Sequence, residues 1–290
     1  MNSKFTARRS FAPLVVVAAG LALWWLEHRR PLRRRVENPS RHGARNIAVA
    51  ALGAVAVQLA ERLLVDPVAA FVERRRWGLL QQRPLPRWLE TTLALVLLDY
   101  TLYVWHVLVH RSSALWRFHK VHHVDLDLDA STALRFHFGE LALSAPWRLA
   151  QVAAIGVTPG TLRLWQHALL VSILFHHSNL RLPPRVERVL SMVFMTPRLH
   201  GIHHSDREDE RDSNWSSGLT VWDWLHGTLR TDINQQAIRI GVEGYQDPDD
   251  VTLPRILAMP FEQTEPRSEI RTPRSAEMRS AECGVPNAGF

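Results

Sequence analysis

Apolar residues fall in long runs separated by short, strongly basic segments. The runs Phe11–Leu26, Asn46–Val65 and Trp88–Val109 are each close to the ~20 mostly apolar residues that a helix needs to cross a bilayer core. Two shorter runs, Leu141–Val157 and Leu162–Phe175, flank Thr158-Pro159-Gly160, a strong turn signal, and read as a hydrophobic hairpin. The pattern predicts an all-α protein: an integral membrane helical bundle of about three spans plus a short hydrophobic hairpin. A helical, histidine-rich cap follows. Residues 1–98 are expected to form an N-terminal transmembrane region, 99–246 a catalytic region, and 247–290 a polar C-terminal tail, largely disordered, since apolar periodicity fades after Asp247.

Composition sharpens this. Eleven tryptophans suit membrane–water interfaces. The net charge of +7 comes from arginine-rich loops beside the apolar runs, which points to anionic headgroups and membrane topology and away from nucleic acid. Phe11–Leu26 follows Lys4, Arg8 and Arg9 as a signal peptide would. Trp24, Trp25, Glu27 and His28 stand where a small-residue cleavage site would be needed, so an uncleaved first helix is expected. Arginines between Glu27 and Arg45 place that loop in the cytoplasm by the positive-inside rule, and with it the histidine-bearing end, in a bacterial inner membrane if the chain is prokaryotic. A second basic cluster, Arg74–Arg76 with Arg83 and Arg87, argues the other way and leaves a re-entrant second segment as the alternative. The single cysteine, Cys283, excludes an internal disulfide and any cysteine-based metal site.

Ten histidines form four groups beside these runs: His106 and His110; His119, His122 and His123; His176 and His177; and His200, His203 and His204. Positions i, i+3 and i+4 share one helical face, so each triplet is expected to aim three imidazoles at one point. Three protonated rings on one stripe would repel; metal binding requires neutral ones. Imidazole suits iron, zinc, copper or nickel over magnesium and calcium, and the surplus of ligands suits two metals better than one closed zinc site. His28, His42, His167 and His226 read as ordinary polar or interfacial residues.

The stretch from Asp99 to Arg230 resembles the sterol desaturase/fatty acid hydroxylase superfamily of membrane di-iron oxygenases. The motifs that carry the likeness are D-Y-T-L-Y-V-W-H-V-L-V-H, L-W-R-F-H-K-V-H-H, T-A-L-R-F-H-F-G-E, L-F-H-H-S-N-L-R-L-P, T-P-R-L-H-G-I-H-H-S and W-D-W-L-H-G-T, in that family's order. The resemblance implies a dimetal site in the cytoplasmic cap holding two iron ions, for which zinc can substitute. O2 would be co-substrate in the hydroxylation or desaturation of a membrane lipid: a sterol, a fatty acyl chain or a related isoprenoid lipid. The chain shows no flavin, haem or dinucleotide motif, so electrons would come from an external donor, a ferredoxin or cytochrome b5-type protein with its reductase. Implied metal ligands are His106, His110, His119, His122, His123, His200, His203 and His204, with His177 or His176 and, further, His137. Asp99, Asn179 and Asn214 are candidates to support them, with Asp125, Glu140, Asp206 and Asp223 as alternatives. Three positions depart from the family pattern: Phe138 replaces proline, Asn214-Trp215-Ser216 replaces Asn-Tyr-Gly, and Asp223–Thr228 reads D-W-L-H-G-T. Ether-lipid cleavage or carotenoid hydroxylation would keep the fold and change the reaction. A histidine-rich membrane metal-binding or transport protein, or a zinc-dependent hydrolase, are the competing classes. The hydrolase lacks an HExxH-type base.

Overall fold

A computed structural model describes residues 12–262, which are helical apart from loops and three isolated β-bridges. The helices are α1 (Ala12–Arg29), α2 (Pro39–Ala60), α3 (Asp66–Arg75), α4 (Arg87–Arg111), α5 (Ser113–His123), α6 (Phe138–Leu143), α7 (Ala145–Ile155), α8 (Pro159–His177), α9 (Pro184–Leu190), α10 (Pro197–His203), α11 (Glu208–Arg211), α12 (Val221–Leu225) and α13 (Leu253–Ala258).

Helix starts follow local chemistry. Asn38 caps α2 by accepting from Ser40 N at 3.0 Å, and Pro39 sits at its first position. Thr158-Pro159 and Thr196-Pro197 start α8 and α10 in the same way. Each threonine supplies an acceptor to an orphan N–H, and each proline sits where no N–H is needed. One π-helical turn, Glu61–Val65, carries α2 directly into α3.

Among the described residues, two helical segments are long and apolar enough to cross a membrane, Pro39–Gln81 and Arg87–Arg111. Their outward side chains, such as Leu52, Leu59 and Leu63, are exposed and apolar, as lipid contact requires. This is a membrane protein.

The two shorter runs form α7 and α8, which both pack on α3 and α4. The chain turns between them at Gly156 (φ +86°), and Gly160 lies inside α8. Gly78 (φ +95°) crosses Gly156 so closely that a Cβ on Gly78 would strike the Gly156 backbone. Gln81 fastens the crossing by donating to Gly156 O (3.1 Å) and to Glu90 (2.7 Å). Above it lies one apolar core, with Val65, Val72, Leu98, Val152 and Leu162 all nearly inaccessible.

The start of the expected polar tail is packed. Val251, Ile256 and Met259 are buried with Val49, Val121 and Val124 behind α5. Hydropathy missed this because α13 is six residues long and buries single side chains in place of a stripe. The disorder expected for 263–290, and Cys283, lie outside the described residues.

Gly78→Ala should cost about 1–3 kcal/mol, since it needs both a left-handed backbone and space that is absent. Thermal unfolding in detergent checks this; an unchanged midpoint would contradict the close crossing.

Candidate metal centre

Nine imidazoles from α4, α5, α8 and α10 converge at one end of the bundle in two adjoining groups. His106, His110, His119, His123 and His203 form the first; His122, His177, His200 and His204 form the second. Within each, one donor atom per ring lies within 4.8 Å of all the others. The groups share a wall where His123 stacks on His204, with ring centroids 4.3 Å apart.

Each triplet was expected to serve a single point; the structure shows both divided between the groups. His119 and His123 turn to the first and His122 to the second, while His200 and His204 turn to the second and His203 to the first. At about 100° per residue, i and i+4 lie about 40° apart, and i+3 lies about 100° from i+4. A triplet therefore has two faces, and two such helices interlock.

Hydrogen bonds orient the rings. His106 Nδ1 donates to Trp215 O (2.6 Å), His203 Nδ1 to Ser213 O (2.9 Å) and His177 Nδ1 to Ile173 O (2.8 Å). His119 Nδ1 faces the Glu140 carboxylate at 2.8 Å. An oxygen at Nδ1 fixes that nitrogen as the proton carrier and leaves Nε2 with a free lone pair, the state in which histidine binds a metal. In the second group, His177 Nε2 stands 3.0 Å from both His122 Nε2 and His200 Nε2. One lone pair cannot accept from two rings. Two nitrogens on one ion at about 2.0–2.1 Å stand about 3 Å apart, so a cation among them removes the conflict. The buried nitrogens left without a hydrogen-bond partner include Nε2 of His110, His119 and His203 and both nitrogens of His123 and His204. These residues fit a metal pair.

Burial, followed by the neighbouring imidazoles, pushes His122, His123, His200, His203 and His204 well below the usual histidine value. Aromatic walls dry the site. Phe136 stacks on His122 (4.3 Å), Trp116 lies 4.7 Å from His110, and the buried Trp215 lies 4.6 Å from His110.

The remaining expected residues fall elsewhere. His137 joins neither group: its Nδ1 caps α6 by accepting from Gly139 N (3.0 Å), and its Nε2 faces Leu257 O (3.3 Å). Both nitrogens are occupied, between Phe118 and Phe138. His176 lies behind the second group, 4.2 Å by ring centroid from His200, and His177 is the member. Asp99 does not reach His106. It accepts from Leu219 N (3.0 Å) and Trp222 Nε1 (2.7 Å). Asn179 bonds the Arg33 backbone on both sides, at 2.8 and 3.0 Å. Asn214 holds Leu199 O and Arg230 O at 2.9 Å each and so fixes the loop whose flanking carbonyls orient His203 and His106. Asp223 clamps the same loop through Trp215 N (2.8 Å) and Ser216 N (2.9 Å). Asp206 pairs with Arg239, away from the rings.

Behind the rings lies a network that single-residue reading missed. Asp125, fully buried two residues past His123, is contacted by Arg135 (2.9 Å), Arg45, His42 and Asn46 (3.0 Å each) and Thr132 (2.8 Å). Burial alone would raise its carboxyl, but Arg135 and His42 outweigh that and hold it well below the usual range. Glu37, His42 and Asp125 also lie close enough to suggest a third cation site. Arg45 already occupies Glu37 (2.9 and 2.6 Å) and shares Asp125, so the positive charge there is built in. The signal available in the sequence was the alternation of Asp125, Asp127 and Asp129 just after a histidine triplet, with Arg135 ten residues on.

The sequence model of the fatty acid hydroxylase family matches residues 91–228, a stretch that contains all nine converging histidines. That match to the fatty acid hydroxylase family spans just under half of the chain. The family lies within the sterol desaturase/fatty acid hydroxylase superfamily, as the motifs led us to expect. Among curated relatives, an ornithine lipid hydroxylase of Rhizobium tropici is 33% identical over 162 residues, covering 55% of this chain and 47% of the relative. Human cholesterol 25-hydroxylase is 29% identical over 145 residues, 47% of this chain and 50% of the relative. Human alkylglycerol monooxygenase is 27% identical over 136 residues, 46% of this chain and 29% of the relative. The chain thus matches about half or less of these relatives' length. No solved structure matches it.

Two outcomes follow from the ring environments. Glu140→Gln should weaken zinc or iron binding by about 10–100-fold, as loss of a carboxylate behind a ligating ring does, while the helical circular dichroism stays unchanged. Metal-free protein should lose stability as pH falls below about 6.5, because the unfolded chain then takes up protons that the folded rings refuse. Denaturant titrations between pH 8 and 5 measure this, and bound metal should oppose the loss near neutrality. A flat profile for the metal-free form would contradict the burial of neutral rings.

Proposed function

We propose that this protein is an O2-dependent oxidoreductase that holds two iron ions, one in each histidine group, and hydroxylates a C–H bond of a membrane lipid. The observation that carries this reading is the pair of adjoining, dry groups of imidazoles whose Nε2 lone pairs are freed toward a common centre. The relatives' names, two hydroxylases and a monooxygenase acting on lipids, favour hydroxylation over desaturation. Zinc can occupy the same nitrogens but cannot supply redox chemistry.

Bound iron would supply O2 activation and removal of the substrate hydrogen. The chain does the rest. Glu140 and the carbonyls of Ser213, Trp215 and Ile173 hold four rings in one tautomer. Trp116, Phe136 and Trp215 exclude water, which protects a reactive site from side reactions. The balance is RH + O2 + two electrons + two protons giving ROH + H2O. The electrons come from a separate donor, a ferredoxin or cytochrome b5-type protein with its reductase. The basic segment 29–45 meets the cap, with Arg33 bonded to Pro197 O (2.8 Å). By the positive-inside rule, that supports a multi-pass chain with the histidines on the cytoplasmic face.

Purified protein should contain iron at about two per chain, the stoichiometry of a two-metal site. It should consume O2 only with reductant and a lipid substrate. His122→Ala and His203→Ala, one ring from each group, should each abolish turnover while the protein stays helical. Stoichiometric zinc together with lipid hydrolysis in the absence of O2 would overturn the proposal.

A further inference from the structure

Depth within the membrane can be read from the part of α4 that the cap touches. α4 spans Arg87–Arg111 with a charge at each end, so Asp99 stands at its middle, about 10 Å along the axis from His106. Yet the Asp99 carboxylate is held by Leu219 N and Trp222 Nε1, both from the cap. Tyr100 packs on Trp222 with ring centroids 4.9 Å apart, and Tyr103 on His226 at 5.0 Å. On α8, Ser172 donates to Ser217 O (2.7 Å), five residues short of His177 on the side away from the rings. Residues 216–226, carrying α12, therefore lie beside the middle of the candidate span α4 and beside α8.

The turn after α9 is tied to this segment. Met195 N donates to Gly218 O (2.9 Å) and Thr220 N to Val193 O (3.0 Å). The joint unit turns apolar side chains outward: Val189 is 62% exposed, Met192 68%, Trp224 70% and Leu225 58%. Met192 and Trp224, with Thr220, Val221 and Leu229, line a hollow of about 340 Å³. Arg185 and Arg188 on α9 are exposed beside this surface. A water-facing surface would not carry so large a cluster of exposed apolar side chains.

We infer that α9, the turn after it and α12 form a membrane foot, seated in the leaflet on the histidine side without crossing it. Its occupants are lipid acyl chains, which cover Met192, Trp224 and Leu225, while Arg185 and Arg188 reach the phosphates. An apolar face buried about 5–10 Å below the headgroups, with arginine on its polar side, is how interfacial helices bind. Hydropathy cannot find this contact, because α9 and α12 have seven and five residues and no span-length window. The inference needs the chain's placement in a membrane and is independent of its metal chemistry.

The test uses the full chain with Cys283→Ser, reconstituted in phosphatidylcholine–phosphatidylglycerol vesicles. Trp224→Cys and Met192→Cys are each labelled with an environment-sensitive fluorophore, with Asp209→Cys on α11 as the water-facing control. Nitroxide placed near the top of the acyl chain should quench the labels at 224 and 192 several-fold more than the label at 209, with blue-shifted emission at the first two. Quenching equal to the control would overturn the foot. Blue-shifted emission without lipid quenching would also overturn it, because a second copy or another part of the chain would then cover the surface. No turnover is measured, so either failure leaves the proposed reaction standing.

Discussion

The carboxylate of Asp125 is the interaction on which the site depends. It is fully buried and receives five contacts from two directions: His42, Arg45 and Asn46 on α2, and Thr132 and Arg135 after α5. Arg135 also donates to Val121 O at 2.9 Å, inside the helix that carries the first triplet. Helix α2, helix α5 and the loop from Asp125 to Arg135 are thus locked at one carboxylate. Such an arrangement does not make the fold stable by itself, because desolvating the charges cancels most of their attraction. Its value is asymmetric: removing one partner leaves a buried charge uncompensated, at a cost of about 3–5 kcal/mol. The network therefore fixes where α5 sits relative to α2 and penalises any other placement.

The site needs that rigidity because its own contents repel. Burial holds His122, His123, His200, His203 and His204 toward the neutral form, and many ring nitrogens of the two groups are left without partners. The unsatisfied groups weaken the metal-free fold and are what a metal would reward. Burial of apolar side chains in the core behind α5 offsets this deficit at a distance. Strain at the site and surplus stability elsewhere is the usual partition in a functional protein.

Much of this was legible in the sequence. Apolar runs marked the long helices, and histidine spacing marked the converging rings. What escaped reading has physical reasons. A triplet at i, i+3 and i+4 spans about 100° of a helix, so spacing alone cannot say whether it serves one point or two. Asp99 has the helical phase to meet His106, but a carboxylate in the middle of a membrane helix goes to the strongest donors within reach, here an indole and a backbone amide. His137 has the residue type of a ligand and the position of a helix cap, and the cap prevails because Gly139 N needs an acceptor. The packing around α13 rests on Val251, Ile256 and Met259, too few to leave a periodic trace.

The loop around Asn214 shows how second contacts join the parts. Asn214 takes φ +52°, a left-handed conformation that asparagine tolerates better than most residues. The reversal there lets the two flanking carbonyls diverge: Ser213 O meets His203 on α10, and Trp215 O meets His106 on α4. Asp223 clamps Trp215 and Ser216 from the start of α12, and Asp99 holds Leu219 and Trp222 from the middle of α4. A chain of short hydrogen bonds therefore runs from the middle of α4, through residues 216–226, to the Nδ1 atoms of two rings in the first group. Any displacement of α12 would strain this chain, so the orientation of those two rings is tied to how α12 packs on α4.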